Sequence, residues 1–352
     1  MTKKYKLFAD CIPIRGYRRC AVCDLSNRNL FHIRESTYIA IAHGDLIDAD
    51  DVGIDELNAL ISSNLVFECP PELVGLFPPM RMEHVQPMAV RSAIAELDIQ
   101  KQYDVREAIE QLSVLGCAHL QILAYADVMY ADIESVITGI EGKNIINVDV
   151  VLRHGIGDLS VMADRYPFVF SITAYGAPRT DMQKRGGCSI LRTTEPFTGC
   201  RQCGAVAPNQ FVCNREFFFL SGGYNTCLYR KVAIDREGYI RSCPASPQRF
   251  GRVGETPIAG AMSQPGFRRL WGITKDRVDV CRDCEFRRVC PDCRVFTRDP
   301  QSPTAHPARC AYNPYLARWA GQAGYAPVEE CGEFTPGGFV PDAERIARLA
   351  ER

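Results

Sequence analysis

The stretch CRDCEFRRVCPDC, residues 281–293, carries four cysteines arranged as two Cys-x2-Cys pairs. Each pair can chelate metal from a single tight turn, so two pairs this close together indicate a metal site. Cys310 follows after sixteen intervening residues, and Cys227 and Cys243 precede the stretch with the spacing Cys-x10-Gly-x4-Cys. Together these are seven of the 17 cysteines in the chain. The pattern predicts that the carboxyl-terminal part of the chain folds around metal.

The remaining composition is that of an ordinary globular protein. The chain has 352 residues, of which 46% are hydrophobic, and its 41 basic and 42 acidic residues leave a formal net charge of −1. This balance provides no basic surface for nucleic acid, and the length predicts two or three domains. The apolar runs are too short for a membrane-spanning helix, and the first residues lack the apolar core of a signal peptide. We therefore expect a cytoplasmic protein without nucleic-acid or membrane partners.

The residues around the cysteines favour iron–sulfur clusters over zinc. Seven cysteines exceed the four ligands of one zinc site, and His306 is the one histidine at ligand spacing. Residues 281–310 contain six arginines and four acidic residues, and this surplus would offset the negative charge of thiolate-ligated clusters. Zinc held by the four cysteines of 281–293 is the alternative.

Further cysteines are candidate ligands outside this region. They are Cys188, Cys200, Cys203 and Cys213. The Cys-x2-Cys pair of Cys200 and Cys203 could belong to a separate zinc or iron–sulfur site, or lend a fourth ligand to a neighbouring cluster. Cys11, Cys20 and Cys23 are better explained by packing, because Cys20 and Cys23 lie in a predicted strand and point to opposite faces.

The middle of the chain alternates between strand and helix patterns. Candidate strands are 92–99, 119–124, 148–153, 168–173 and 188–192, and candidate helices are 105–115, 132–140 and 158–165. This alternation implies parallel strands with crossover helices, either in an open sheet or curled toward a barrel. The units are too few for a closed eight-stranded barrel. No glycine-rich phosphate loop follows any of these strands, so nucleotide chemistry is poorly supported.

Hairpin and helix signals flank this region on both sides. Predicted strands are 17–26, 29–34, 65–68, 217–220, 228–235 and 239–242, and predicted helices are 35–42, 53–65 and 342–351. The segment Asp235–Gly238 predicts the turn of a hairpin, in which Gly238 adopts the positive φ that such a turn needs. The proline-rich segment 70–87 is the best linker candidate.

The order of the cysteines resembles that of the SPASM domain of peptide-modifying radical SAM enzymes, which holds two auxiliary 4Fe-4S clusters. The spacing differs by one residue, since the family usually has three residues where this chain has Pro291 and Asp292. The resemblance implies two ligand sets. The inner cluster would use Cys227, Cys243 and Cys293, and the outer cluster Cys281, Cys284, Cys290 and Cys310.

Longer stretches are similar to a narrower family, the SPASM peptide maturases of grasp-with-spasm systems. These stretches are CIPIRGYRRC (11–20), CLYRKVAIDREGYIRSCP (227–244) and FRRLWGITKD (267–276). Such maturases are encoded with an ATP-grasp ligase and with a precursor peptide that becomes a graspetide, a ribosomally made (RiPP) natural product. The resemblance implies that the partners are the leader of a precursor peptide and an ATP-grasp ligase.

The Cys-x3-Cys-x2-Cys loop of radical SAM enzymes is absent from the sequence. That loop leaves one iron open for SAM, but residues 100–104, after the candidate first strand, contain no cysteine. Ala124–Asp127 likewise stands where such enzymes carry a Gly-Gly-Glu motif. We therefore expect a degenerate barrel that does not bind SAM.

These expectations combine into an α/β architecture of consecutive parts. They are a winged-helix-like peptide-recognition (RRE-like) module at 1–85, a degenerate partial (β/α) radical-SAM-like barrel at 86–215, a cysteine-rich SPASM domain at 216–315 and a tail at 316–352. The expected function is an iron–sulfur SPASM peptide maturase that assists modification of its precursor; catalytic residues are not assigned. Two alternatives stay open: an atypical radical SAM enzyme whose open cluster uses Cys188, Cys200 and Cys203, and a zinc-stapled peptide-docking scaffold.

Overall fold

The computed structural model describes residues 3–43, 46–81 and 87–352, which divide between two units. The sheet unit comprises Gln86–Cys203 and Cys227–Trp271, and the terminal unit comprises Met1–Val85, Gly204–Thr226 and Gly272–Arg352. Both units are discontinuous in sequence, so each is completed by residues far from its first segment. The four consecutive parts expected from the sequence stay predictions.

The described residues form short strands and helices. The strands are β1 (Tyr5–Leu7), β2 (Cys11–Ile14), β3 (Cys20–Asp24), β4 (Asn29–Ile33), β5 (Val66–Glu68), β6 (Ser92–Leu97), β7 (His119–Ala124), β8 (Asn147–Arg153), β9 (Val169–Tyr175), β10 (Asp181–Arg185), β11 (Cys188–Thr193), β12 (Lys231–Ile234), β13 (Ile240–Arg241), β14 (Tyr312–Asn313), β15 (Arg318–Trp319), β16 (Gly332–Thr335) and β17 (Gly338–Pro341). The helices are α1 (Glu35–Ile41), α2 (Ala49–Val52), α3 (Ile54–Ser62), α4 (Val105–Val114), α5 (Tyr130–Thr138), α6 (Leu159–Arg165), α7 (Arg215–Gly223), α8 (Ile258–Ser263) and α9 (Ala343–Ala350). No helix among the described residues has the length and apolar character needed to cross a membrane.

The sheet unit is built on one eight-stranded sheet in the order β10-β11-β9-β8-β7-β6-β12-β13. The six inner strands pair in parallel, and the two edge strands β10 and β13 pair antiparallel to their neighbours. The predicted mixed α/β class with a mostly parallel sheet is therefore confirmed.

Local sequence explains why the crossover helices begin where they do. Asp104 caps α4 by accepting the backbone N–H groups of Arg106 and Glu107, and Asp158 caps α6 in the same way. The buried face of α4 is Ala108, Ile109 and Leu112, at the i, i+1 and i+4 positions of a helical repeat. These side chains join the alternate buried residues of the strands in one hydrophobic core.

The terminal unit begins with a three-stranded antiparallel sheet in the order β2-β3-β4, and β1 pairs with β5. The predicted opposite faces of β3 are confirmed, because Cys20 and Cys23 lie in different hydrophobic cores. The predicted linker contains one 3-10 turn at Pro71–Leu76, and its residues 82–86 lie outside the described residues.

One predicted strand is wrong. Residues 217–220 lie in helix α7, whose first turn is capped by the Asn214 side chain accepting the N–H of Phe217. Phe217, Phe218, Phe219 and Leu220 are all buried, so the run carries neither a helical nor a strand period. The Asn214 cap, which satisfies a backbone N–H group in the first turn, favours the helical conformation of this run. The hairpin of β12 and β13 is confirmed, and Gly238 in its turn has φ +84°.

Candidate metal centres

Four predicted ligands, here named the terminal thiol group, lie in the terminal unit. They are Cys281, Cys284, Cys290 and Cys310. Cys284 donates its N–H to the Cys281 carbonyl at 3.0 Å, and Cys290 donates to the Phe286 carbonyl at 2.9 Å, so tight turns present these three residues. The pKa of Cys281 is raised to about 12 and that of Cys290 to about 11, chiefly by burial and in part by the neighbouring Cys310. The thiols thus lie near enough to influence one another electrostatically.

The residue before this group has an unusual backbone. Val280 has φ 66° and ψ −44°, and the N–H of Cys281 donates to the carbonyl of Asp279 at 2.7 Å. This is a γ-turn of the positive-φ kind, which is rare and strained, above all at a β-branched residue. Such strain persists only where the surrounding structure enforces it, and it clusters at functional sites. Here it sets the direction in which the chain enters Cys281.

A buried set of charges adjoins the terminal thiol group. Asp292 accepts hydrogen bonds from Arg294 Nε at 2.8 Å and Asn225 Nδ2 at 2.6 Å, and Lys275 Nζ lies 3.7 Å from the same carboxylate. Lys275, Asp292 and Arg294 are 5%, 2% and 6% exposed, respectively. Arg294 Nη2 is buried without a hydrogen-bond partner. Two buried cations therefore face one carboxylate, which leaves an excess of positive charge.

This excess provides a test of whether a metal cluster fits. Buried charges are normally paired, and Lys275 Nζ also donates to Cys281 Sγ at 3.9 Å. A thiolate-ligated iron–sulfur cluster carries net negative charge and would supply the missing anion. Among the described residues, no three His, Cys, Asp or Glu side chains have the arrangement of ligands around a metal ion. Donor chemistry and charge nevertheless suit a cluster held by the terminal thiol group.

A second set, here named the sheet thiol group, consists of Cys203, Cys227 and Cys243 in the sheet unit. Lys231, the first residue of β12, donates from Nζ to Cys227 Sγ at 3.5 Å. Burial alone would lower the pKa of Lys231, but the charges of the three thiols raise it overall. Burial raises the pKa of Cys243 to about 12, with Cys227 adding to the rise and Lys231 opposing it. These residues therefore also suit an anionic cluster.

The hairpin of β12 and β13 determines where this group lies. Asp235 Oδ1 accepts the N–H groups of Glu237 and Tyr239 at 3.0 and 2.9 Å, and Asp235 pairs with Arg241. These bonds fix the turn and thus the two strand ends that carry Cys227 and Cys243. Sequence reasoning assigned Cys203 only as an additional ligand. Cys203 lies in a loop, and the sequence of a loop does not show which strand ends the loop approaches.

Cys293, the third member of the predicted inner set, belongs to the terminal unit. Its Sγ accepts the backbone N–H of Phe296 at 3.4 Å. A Cβ added to Gly204 would lie 3.2 Å from this Sγ, a tight contact, and the backbone angle φ of +84° at Gly204 favours glycine.

A cleft of about 250 Å³ opens in the sheet unit near the carboxyl ends of its parallel strands. Cys200 and Cys203 line it together with Tyr175 and Thr193, the last residues of β9 and β11. Open α/β sheets bind ligands at this edge. Cys188 is the first residue of β11 and is buried in the sheet core, and the alternation of side chains along a strand places it on the opposite face from Thr193. This arrangement does not favour joint ligation by Cys188, Cys200 and Cys203.

Cys213, the last additional candidate, lies in the terminal unit, in the hydrophobic core that also contains Cys23 and Cys290. Its thiol donates to the Asn29 carbonyl at 3.1 Å and hydrogen-bonds with Cys23. The structure therefore disperses the additional candidates and brings one of them, Cys203, to the sheet thiol group.

Sequence reasoning missed the buried charges beside both groups. Lys231, Lys275, Asp292 and Arg294 are residue types that usually lie at the surface. The available signal was the position of Asp292, which stands inside a Cys-x2-Cys pair.

Compared with family models, curated proteins and solved structures, the chain matches none of them. The fold and the two thiol groups define an α/β protein with two cysteine-rich centres, each beside a lysine.

Proposed function

We propose that this protein is an iron–sulfur SPASM-type peptide maturase, which binds a ribosomally made precursor peptide and assists its modification beside an ATP-grasp ligase. The observation that carries the proposal is the excess of buried positive charge beside the terminal thiol group. Lys275 and Arg294 share the one carboxylate of Asp292, which suits an anionic cluster at the adjacent thiols.

Two clusters are proposed. The terminal thiol group would hold one 4Fe-4S cluster, and Cys227 and Cys243 would hold the other, with Cys203 as a further thiol of the same unit. The assignment of Cys293 to the second cluster rests on the sequence resemblance alone. Bound clusters would supply one-electron transfer. The chain's own residues place the ammonium groups of Lys231 and Lys275 against Cys227 and Cys281. SAM is not expected, since residues 98–104, between β6 and α4, lack cysteine and end at Asp104, the cap of α4.

Leader recognition is proposed for the first segment of the terminal unit, a winged-helix-like, RRE-like module. Among the described strands β4 pairs with β3 alone, so we expect the other side of its backbone to pair with an added peptide strand. A cleft of about 450 Å³ lies beside it, lined by Phe31, Ile33 and Arg34 of the strand segment and by Asp55 and Ala59 of α3. The partnership with an ATP-grasp ligase rests on the sequence resemblance alone.

Metal analysis after anaerobic purification tests the cluster proposal. We expect iron and acid-labile sulfide in equal amounts, with zinc far below them. Cys284→Ala should lose about half of the iron, because no other thiol replaces it in the terminal thiol group. Cys331→Ala is the matched control, since Cys331 is buried in the same unit and accepts a hydrogen bond from Asn313. Zinc in place of iron would support the docking scaffold instead.

Calorimetry of the full chain with its cognate leader peptide tests the recognition site. Ala59→Arg places a long cationic side chain in the cleft beside β4 and should weaken leader binding at least tenfold. Asn58→Arg introduces the same side chain on α3 at an exposed position that does not line the cleft, and it should bind normally. Equal affinity of the two variants would place leader recognition elsewhere.

A further inference from the structure

Among the described residues, each thiol group has a lysine whose ammonium group donates to a cysteine. Lys231 Nζ lies 3.5 Å from Cys227 Sγ, and Lys275 Nζ lies 3.9 Å from Cys281 Sγ. The lysines belong to different units and to unrelated local structures, the start of a strand and a 3-10 turn. The pairing of a lysine ammonium group with a cysteine sulfur therefore occurs in both thiol groups.

The two lysines differ in their other partners. Lys275 also lies 3.7 Å from Asp292, so a carboxylate offsets part of its charge. In the described part of the chain, Lys231 forms no ion pair with a carboxylate, and a cysteine accepts its hydrogen bond. A partly buried ammonium group needs a counter-charge, and beside Lys231 thiolates are the groups placed to provide it.

The geometry points to Lys231 and Lys275 as positioning residues that hold positive charge against the cluster thiolates and thereby raise the reduction potentials of the two clusters. This inference rests on the proposed function. Reduction adds one electron from an external one-electron reductant to an already anionic cluster, with no bond made or broken in the chain. A nearby cation and an N–H···S hydrogen bond stabilise the added electron more than they stabilise the oxidised cluster.

The difference in partners predicts unequal effects. Removing the charge of Lys231 removes the lysine that donates to the sheet thiol group among the described residues. Removing that of Lys275 leaves Arg294 in place beside the terminal thiol group. The potential of the sheet-unit cluster should therefore depend more strongly on its lysine.

The test is a redox titration with dithionite, followed by electron paramagnetic resonance, of the anaerobically reconstituted full chain. We expect Lys231→Met to shift one midpoint potential to more negative values, and Lys275→Met to shift the other by less. Lys231→Arg keeps the cation and should retain most of the wild-type potential. Lys101→Met is the control, because Lys101 lies in the same unit but is exposed and paired with Asp132.

The outcomes separate the inference from the proposed function. Wild-type protein that holds no iron would reject the proposed function itself. Wild-type protein with both clusters, and with potentials unchanged in Lys231→Met, would reject the inference alone. If Lys231→Met loses iron, retention in Lys231→Arg supports the charge role, whereas equal loss in both variants shows that packing matters and overturns it.

Discussion

The two thiol groups differ in how the chain assembles them. Three members of the terminal thiol group come from one stretch of ten residues, 281–290, and Cys310 completes it. The sheet thiol group joins the two ends of a hairpin to Cys203, which lies 24 positions before Cys227. A sequence motif can specify the first kind of centre almost alone. The second depends on the sheet, because β12 must pair with β6 before its flanking cysteines have a fixed place.

The groups also differ in the charges around them. The terminal thiol group adjoins a buried network in which Asp292 connects Lys275, Arg294 and Asn225. The sheet thiol group has Lys231 facing thiols directly. Stability of the first region should therefore depend on a carboxylate, and that of the second on the geometry of its hairpin.

The largest expected effect comes from Asp292→Asn, which leaves Lys275 and Arg294 without their shared carboxylate. Breaking a buried ion pair from one side costs about 3–5 kcal/mol, because the remaining charge stays buried. Urea unfolding of the loaded chain should show this loss. Asp299→Asn, which changes an exposed carboxylate that accepts one N–H from Gln301, should change stability by less than about 1 kcal/mol. If Asp292→Asn lowered the free energy of unfolding no more than Asp299→Asn does, the buried charge network would contribute little to stability.

A smaller effect is expected from Gly238→Ala in the hairpin turn. Gly238 has φ +84°, and an added Cβ would lie 2.7 Å from Tyr103 Cβ, so the turn must shift. We expect a loss of about 1–3 kcal/mol and preferential loss of the sheet-unit cluster signal in electron paramagnetic resonance. Gly187→Ala, in the same unit with nothing within 4 Å, should behave as wild type. Loss of both cluster signals in Gly238→Ala would contradict the separation of the two centres.

The two units should also respond oppositely to mild acid. Burial lowers the pKa of His306 in the terminal unit from 6.5 to about 3, so its contribution to stability is lost as the pH falls below about 6.5. Burial and Asp235 raise the pKa of Glu96 in the sheet unit above 4.5, so its contribution is present below 4.5 and lost as the pH rises. Each group changes stability by at most about 1.4 kcal/mol per pH unit.

Hydrogen exchange followed by mass spectrometry can resolve the units at about pH 7 and about pH 5. His306→Gln should reduce the acid destabilisation of the terminal unit, and Glu96→Gln should flatten the pH dependence of the sheet unit. Unchanged pH profiles in both variants would show that other groups control the response.

Much of the sheet was predictable from the sequence, because its strands and helices carry clear hydrophobic periods. His119–Ala124 is predicted and observed with the same bounds, and α4 begins at its predicted residue, Val105. The ligand set Cys281, Cys284, Cys290 and Cys310 came from the family resemblance and stays a prediction. The prediction of a strand at 217–220 was wrong, because four consecutive buried residues show no helical periodicity although they lie in α7.

Other features were beyond sequence reasoning for physical reasons. The burial of Lys231 and Lys275 follows from tertiary packing, since an isolated lysine in a sequence is normally a surface residue. The placement of Cys203 depends on how a loop returns to the sheet. The strained γ-turn at Val280 has no sequence signal, because valine is among the residues least suited to positive φ.

The most direct test of the central claim is iron, sulfide and zinc analysis of Cys284→Ala and Cys243→Ala, purified anaerobically beside wild type. Two independent clusters predict that each variant loses about half of the iron and sulfide and that the remaining electron paramagnetic resonance signals are complementary. Stoichiometric zinc without iron in the wild type, or full iron content in either variant, would contradict the account.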